Sequence, residues 1–210
     1  MRAAPWIHDV FGGSSGWALR RSPRRDWRMR SRPPLRTVAP VIIELRPLTR
    51  ADAAAHCAGE DEQTVRWLTG GYGTVEGAAA HFDLLAANAV ARRGKRGFGV
   101  CLDGRLAGYV DFDPDNDDGL GPDDVNLSYA VHPWTRRRGV ACAAVRLLCE
   151  HLRAHQIGTR AAIRVAPDNA ASVGVAVRSG FHHVQDFRSA TDRLADGTPA
   201  TLSLYLLDLV

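Results

Sequence analysis

The sequence predicts a single α/β domain organised around a mixed β-sheet, and three observations carry that prediction. Strand-length apolar runs alternate with helix-period segments from Val41 to the C-terminus. Asp103-Gly104 separates two such runs, and Asp-Gly is a strong hairpin signal. A long segment from Thr135 to about His155 repeats its apolar residues at the helical period. The roughly 170 residues involved are enough to close one hydrophobic core.

The first strand is expected in VIIEL, residues 41–45, ending at RPLT. Thr49 offers a hydroxyl to cap a short helix through ADAAAHCA, with Asp52 at its third position. EDEQTVRWLTGG reads as a broken helical connection. Thr74 is placed to cap a longer helix, VEGAAAHFDLLAANAVA, with Ala78, Phe82, Leu85 and Ala89 on one stripe. Strands are expected in GFGVCLDG, RLAGYVDF and VNLSYAV. The long helix then turns Val140, Ala144, Leu147, Leu148 and Leu152 inward. RAAIRVA is another strand, and Asn169 to Ser179 a short helix ended by Gly180. FHHVQDF and TLSLYLLDLV close the chain as an antiparallel pair around the loop SATDRLADGTP.

The formal charge of +4 is unevenly spread. Residues 1–40 hold nine arginines against Asp9 and Asp26, a net of +7, whereas the other 170 residues carry 18 basic and 21 acidic groups, a net of −3. The folded part is therefore mildly acidic, which argues against a nucleic-acid or membrane partner. Residues 1–40 lack a sustained period and are broken by Gly-Gly, Ser-Ser-Gly and Pro-Pro. An arginine-rich, flexible extension is expected there, ahead of a domain over residues 41–210. Trp6, Trp17 and Trp27 give the extension rings that can dock on a surface. SPRRDW has the paired arginines of an export signal, but no hydrophobic stretch follows, so a cytoplasmic protein is expected. No run reaches the length of a membrane helix. Cys57, Cys101, Cys142 and Cys149 lie in apolar segments without CxxC spacing and read as reduced core residues.

HPWTRRRGVACAAVRLLCEHL, His132 to Leu152, sets three arginines and a glycine at the mouth of the long helix. Cations there oppose the positive end of the helix dipole. A phosphate seated on the free amides of the first turn would resolve that conflict, with Arg136 to Arg138 neutralising it. The competing reading is a solvated helix start whose arginines only aid solubility. Neither GxxxxGK[ST] nor GxGxxG is present.

RRRGVA, Arg136 to Ala141, resembles the pyrophosphate-binding motif [QR]xxGx[GA] of the GNAT superfamily of acyl-CoA-dependent N-acyltransferases, with Arg136, Gly139 and Ala141 at its defined positions. DNAASVGVAVRSGF, Asp168 to Phe181, resembles that family's second cofactor segment: an Asn, a Ser three later, and a helix closing in Gly-Phe. The order of elements from Val41 to Val210 is similar too. RPLTRAD and SYAVHPWTRRRG resemble the subgroup that acetylates ribosomal-protein N-termini. The resemblance implies a mixed, mostly antiparallel central sheet flanked by helices. It implies acetyl-CoA as cofactor and transfer of its acetyl group to an amine, on a protein N-terminus or a small cationic molecule. The amides of residues 138–143 (Arg138, Gly139, Val140 and Ala141 among them, with Arg136 beside them) would hold the pyrophosphate of coenzyme A. The backbone of Leu127, Tyr129 and Val131 would line the pantetheine where two parallel strands splay. Asn169 and Ser172 would meet its arm, and Phe181 would be a core residue. A monomer and a homodimer stay equally open.

The catalytic base is less defined. Related N-terminal acetyltransferases often carry a glutamate where this chain has Asn126, which can orient water or an amine but cannot take a proton. Asp111 and Asp113 are alternative carboxylates on the neighbouring strand, and Tyr129 is a candidate acid or a packed ring. His132 can titrate near neutrality. The tyrosine that some members use beyond the second motif is missing, since none occurs between Phe181 and Tyr205. The loop DFDPDNDDGLGPDD holds seven aspartates. It misses the calcium pattern, with Gly119 one place late and Asp124 where glutamate belongs. A solvated loop is expected, or one that recruits a cationic substrate. A catalytically inactive acyl-CoA-binding regulatory module is the alternative to an enzyme.

Overall fold

Seven strands of the computed structural model, which describes residues 42–194 and 196–210, form one sheet in the order β1-β2-β3-β4-β5-β7-β6. The expected extension over residues 1–40 lies outside the described residues. The strands are β1 Ile43–Pro47, β2 Arg96–Leu102, β3 Arg105–Asp113, β4 Asp124–Val131, β5 Arg160–Val165, β6 His182–Arg193 and β7 Pro199–Asp208. Every neighbouring pair is antiparallel except β4 with β5. The Asp103-Gly104 hairpin joins β2 to β3 as expected, with both residues at positive φ. Gly108 sits beside a bulge in β3 at Ala107, so close to β4 that a Cβ there would lie 2.2 Å from the Ala130 carbonyl.

Helices cover both faces. One face takes α4, Val140–Ala154, whose Val140, Ala144, Val145, Leu148, Cys149 and Leu152 are buried against Val100, Val110, Phe112, Val125 and Ile163. The sequence stripe is right, except that Leu147 is half-buried and Val145 and Cys149 take its share. The other face takes α1, Ala53–Cys57, and α3, Val75–Ala91, through Ala53, Phe82 and Leu85. Between them come α2, Glu62–Thr64, and a π-helical turn, Val65–Thr69. The last helix is α5, Ala170–Arg178.

Several caps are those expected. The Asp52 carboxylate accepts from the Thr49 amide and hydroxyl, and the Thr74 hydroxyl accepts from the Gly77 amide. Other expectations are corrected. β1 lies two residues later than VIIEL. Ala89 is exposed, so the buried stripe of α3 ends at Leu85. The closing hairpin is longer, because the first five residues of SATDRLADGTP continue β6 to Arg193. The long helix begins at Val140 rather than Thr135. Arg137 and Gly139 both take positive φ, +61° and +78°, and this breaks the helical path before it starts.

The acidic loop is less solvated than expected, since Asp111, Asp118 and Asp124 are all buried. Asp118 accepts from Arg164 Nη1 (2.5 Å), Ser189 Oγ (2.5 Å), the Ala190 amide (2.8 Å) and Thr191 Oγ1 (2.9 Å). Burial pushes its carboxyl up, but these donors together outweigh burial and hold it at about 2. Asp124 pairs with Arg160 at 2.6 Å. These two pairs pin the loop between β5 and the far half of β6.

Removing the Asp118 carboxylate leaves Arg164, which has 10 % of its side chain exposed, with the longer 3.6 Å contact to Asp192 as its remaining ion pair. We expect Asp118→Ala to lose about 3–5 kcal/mol in urea unfolding. The Asp118 contribution is present at neutral pH and is lost as pH falls below the ordinary carboxylate range toward 2, because its folded pKa lies below its unfolded one.

Candidate active site

A gap in the sheet organises the site. β4 and β5 pair only at Asp124–Asn126 with Arg160–Ala162. Beyond that point β4 stays paired to β3 through Val131, and β5 to β7 through Val165. The facing edges of residues 127–131 and 163–165 therefore diverge without ladder bonds between them. Unpaired backbone inside a sheet needs another partner. The expected splay is present, and Leu127, Tyr129 and Val131 lie along it.

At the outer end of this notch the chain turns through Pro133–Thr135 and residues 136–139 into α4. The first intrahelical bond runs from the Ala143 amide to the Gly139 carbonyl, 3.0 Å. The amides of Val140, Ala141 and Cys142 precede it and have no helical acceptor. Gly139 supplies the positive φ, and a Cβ there would meet nothing within 4 Å, so the space over the turn is open. Arg137 and Arg138 are exposed beside it. This donor set, positive and open, has the chemistry of a polyphosphate seat. Arg136 departs from expectation. Its guanidinium makes a bidentate pair with Asp61 at 2.6 and 2.7 Å, so neutralisation of an anion falls to Arg137 and Arg138.

Tyr129 spans from β4 to the first turn of α5. Its hydroxyl donates to the Ser172 carbonyl (3.2 Å) and bonds the Ser172 hydroxyl (2.8 Å). Burial pushes its pKa up to about 12, so it stays protonated at neutral pH. Asn169 caps α5 by accepting from the Ser172 amide at 3.2 Å. Tyr129, Asn169 and Ser172 thus meet at one place on the notch wall, as a strut. Phe181 is buried in the core.

The carboxylates and histidines separate clearly. Asn126 is buried, and its Oδ1 accepts from Arg164 Nε at 3.2 Å, which ties it to the Asp118 network. Asp111 lies on β3 opposite Ser128 of β4, next to the point where the splay begins. It is buried, and its Oδ1 has no hydrogen-bond partner. Burial raises its pKa to about 6, against the opposing pull of Lys95 (Nζ 3.8 Å away) and Ser128. Asp113 is half-buried and accepts from the Asp115 amide. His132 does not titrate near neutrality: burial, with His56, Arg105 and Arg136 nearby, pulls it down to about 4.

Sequence reasoning missed a cluster beside the last turns of β4. His56, Glu60, Tyr109 and His132 line a small cavity there. His56 stacks against Tyr109 at 5.1 Å, and its Nε2 lies 3.9 Å from Glu60. The period-2 alternation of Tyr109, Asp111 and Asp113 along β3 was the one available signal, since it places all three on the face toward α1. Among the described residues no group of His, Cys, Asp and Glu could hold a metal ion. All four cysteines are free, Cys101 and Cys149 buried and Cys57 and Cys142 half-buried.

Solved structures share this architecture. The ribosomal L7/L12 alpha-N-protein acetyltransferase RimL, in complex with coenzyme A, superposes with a TM-score of 0.67 at 16% identity, over 80% of this chain and 98% of that one. The microcin C7 self-immunity acetyltransferase MccE, with acetyl-CoA and AMP, gives 0.67 at 13% identity, over 79% and 92%. RimJ of Mycobacterium smegmatis, with a coenzyme A disulfide, gives 0.66 at 22% identity, over 79% and 81%. No curated protein matches by sequence. If the turn before α4 seats the cofactor's phosphates, Arg138→Glu should weaken coenzyme A binding by about tenfold or more in calorimetric titration. Its melting temperature should be unchanged, because Arg138 is exposed. The acetyltransferase (GNAT) domain model matches residues 43–182, more than half of the chain, and the protein belongs to that family.

Proposed function

We propose that the protein transfers an acetyl group from acetyl-CoA to a primary amine, with Asp111 as the general base. The observation that carries this reading is the buried carboxylate with an unpartnered oxygen beside the start of the β4–β5 splay. When bound, acetyl-CoA supplies an electrophilic thioester carbonyl and a thiol leaving group. The residues fit that cofactor: the amides of Val140–Cys142 with Arg137 and Arg138 suit its phosphates, and the unpaired edge of Leu127–Val131 suits the amides of its pantetheine arm. Backbone N–H groups on that edge are also the available donors for a developing oxyanion.

Asp111 performs the proton step. An ammonium must lose a proton before its nitrogen can attack, and a carboxylate raised to about 6 is ionised yet basic enough to take part near neutral pH. The half-exposed Lys95 ammonium at 3.8 Å stabilises the charged form and lies toward solvent. Tyr129, held by Ser172, keeps the notch wall in place and stays protonated.

The acceptor we favour is a protein N-terminus, with a small cationic amine as the other member of the class. Support comes from the fold shared with ribosomal-protein N-terminal acetyltransferases and from the exposed acidic residues near the site, Asp115, Asp117 and Asp123. Such substrates place the protein in the cytoplasm. Among the described residues no helix is long and apolar enough to cross a membrane.

The test is a rate profile against pH with a peptide amine. Asp111→Asn should lower kcat/KM by about 10²–10⁴-fold. The wild-type acidic limb, rising with an apparent pKa near 6, should vanish in the variant. Unchanged activity would remove Asp111 from the chemistry. Asp111→Asn should also stabilise the fold at pH 7. The folded pKa is raised above the unfolded one, so the buried charge weakens stability as pH rises through about 6.

A further inference from the structure

Arg136 opens the family's phosphate motif, yet its guanidinium is paired to a segment 75 positions earlier. The partner, Asp61, is at the same time the N-cap of α2, accepting from the Thr64 amide and hydroxyl at 3.1 Å each. The Arg136 fork holds the Asp61 carboxyl far below the usual carboxylate range, so the pair is ionised at any working pH. From Asp61 the chain runs through α2 and the π-helical turn, closed by the bond from the Gly70 amide to the Val65 carbonyl at 2.8 Å. There Arg66 reaches Asp168 at 3.7 Å. Asp168 immediately precedes the α5 cap Asn169.

The two contacts tie residues 61–69 to both walls of the notch. Arg136 belongs to the loop that leaves β4, and Asp168 to the loop that leaves β5. The ties are unequal. The Asp61–Arg136 pair is bidentate, and its side chains are about one-third exposed, 30% and 32%. The Arg66–Asp168 pair is a single contact with side chains 62% and 69% exposed, the kind that water and salt readily dissolve. Gly70, at φ +69°, Gly71 and Gly73 follow directly and leave the backbone free to reorient. The segment is anchored at one end and only latched at the other.

We propose that residues 61–69 form a strap across the coenzyme notch that pivots on the Asp61–Arg136 pair, and that Arg136 is a positioning residue rather than a phosphate ligand. This rests on the notch being the acyl-CoA site. Filling the notch stiffens the strap, which carries the half-buried Trp67 and the exposed Leu68 between its two ties.

The experiment is amide hydrogen exchange over residues 60–73 of the full chain, with and without saturating coenzyme A, paired with calorimetric titration. In the wild type, coenzyme A should slow exchange there by about tenfold or more. Asp61→Asn and Arg136→Gln should each abolish that protection while coenzyme A affinity stays within about threefold. Circular dichroism melts check that each variant folds, and Arg136→Lys, which keeps the charge opposite the Asp61 cap, should retain part of the protection. A loss of coenzyme A affinity of about tenfold in Arg136→Gln but not in Asp61→Asn would overturn the proposal, by making Arg136 a direct ligand. Binding without protection of 60–73 in the wild type would overturn the strap alone. No binding by folded wild type would overturn the cofactor reading, and the strap with it.

Discussion

The parallel ladder between β4 and β5 stops after Asn126 and Ala162, and both strands then follow their other neighbours. A sheet interior rarely leaves backbone edges facing each other across a gap, because each unpaired N–H and C=O costs free energy. The surrounding structure holds the gap open. Tyr129 braces β4 against α5 through Ser172, and the Asn126–Arg164–Asp118 network fixes the point where the two strands part. The turn of residues 136–139 then delivers the first amides of α4 to the outer end of the same gap. An extended ligand with an anionic end and amide groups along its length satisfies both sets of donors.

Charge is distributed to match. Net positive charge at the outer end comes from Arg137 and Arg138, while Asp111 lies on the neighbouring strand beside the splay, with Lys95 at 3.8 Å. Arg136 is neutralised by Asp61. In the proposed reaction the anionic cofactor would enter at the positive end. The buried ion pairs are positional features more than sources of net stability, since desolvation offsets much of their attraction.

Much of this was legible in the chain. Period-2 and 3.6-residue patterns located every strand and the two long helices, and the Thr49 and Thr74 caps and the Asp103-Gly104 turn were readable from local chemistry alone. The start of α4 was misplaced because nothing in RRR announces that Arg137 takes positive φ; only the tertiary setting imposes that on a non-glycine residue. The reach of β6 was hidden because SATDR is polar. Its pairing with β7 is a local hairpin, but its bonds to Asp118 come from 70 or more positions away in sequence. For the same reason the site was half visible. RRRGVA and the Asn169–Ser172 pair are local motifs. That Arg136 faces Asp61, that Arg164 occupies Asn126, and that Asp111 is buried with an oxygen lacking a hydrogen bond are long-range facts that no window of sequence contains.

The central claim is that the unpaired edge of β4 and the first turn of α4 form one coenzyme A site. Backbone amide shifts of isotopically labelled protein titrated with coenzyme A test it most directly. The account predicts saturable, one-to-one changes concentrated at residues 127–131 and 138–142, with the β6–β7 hairpin largely unmoved. A folded protein whose amides at those positions do not respond at saturating coenzyme A would contradict it.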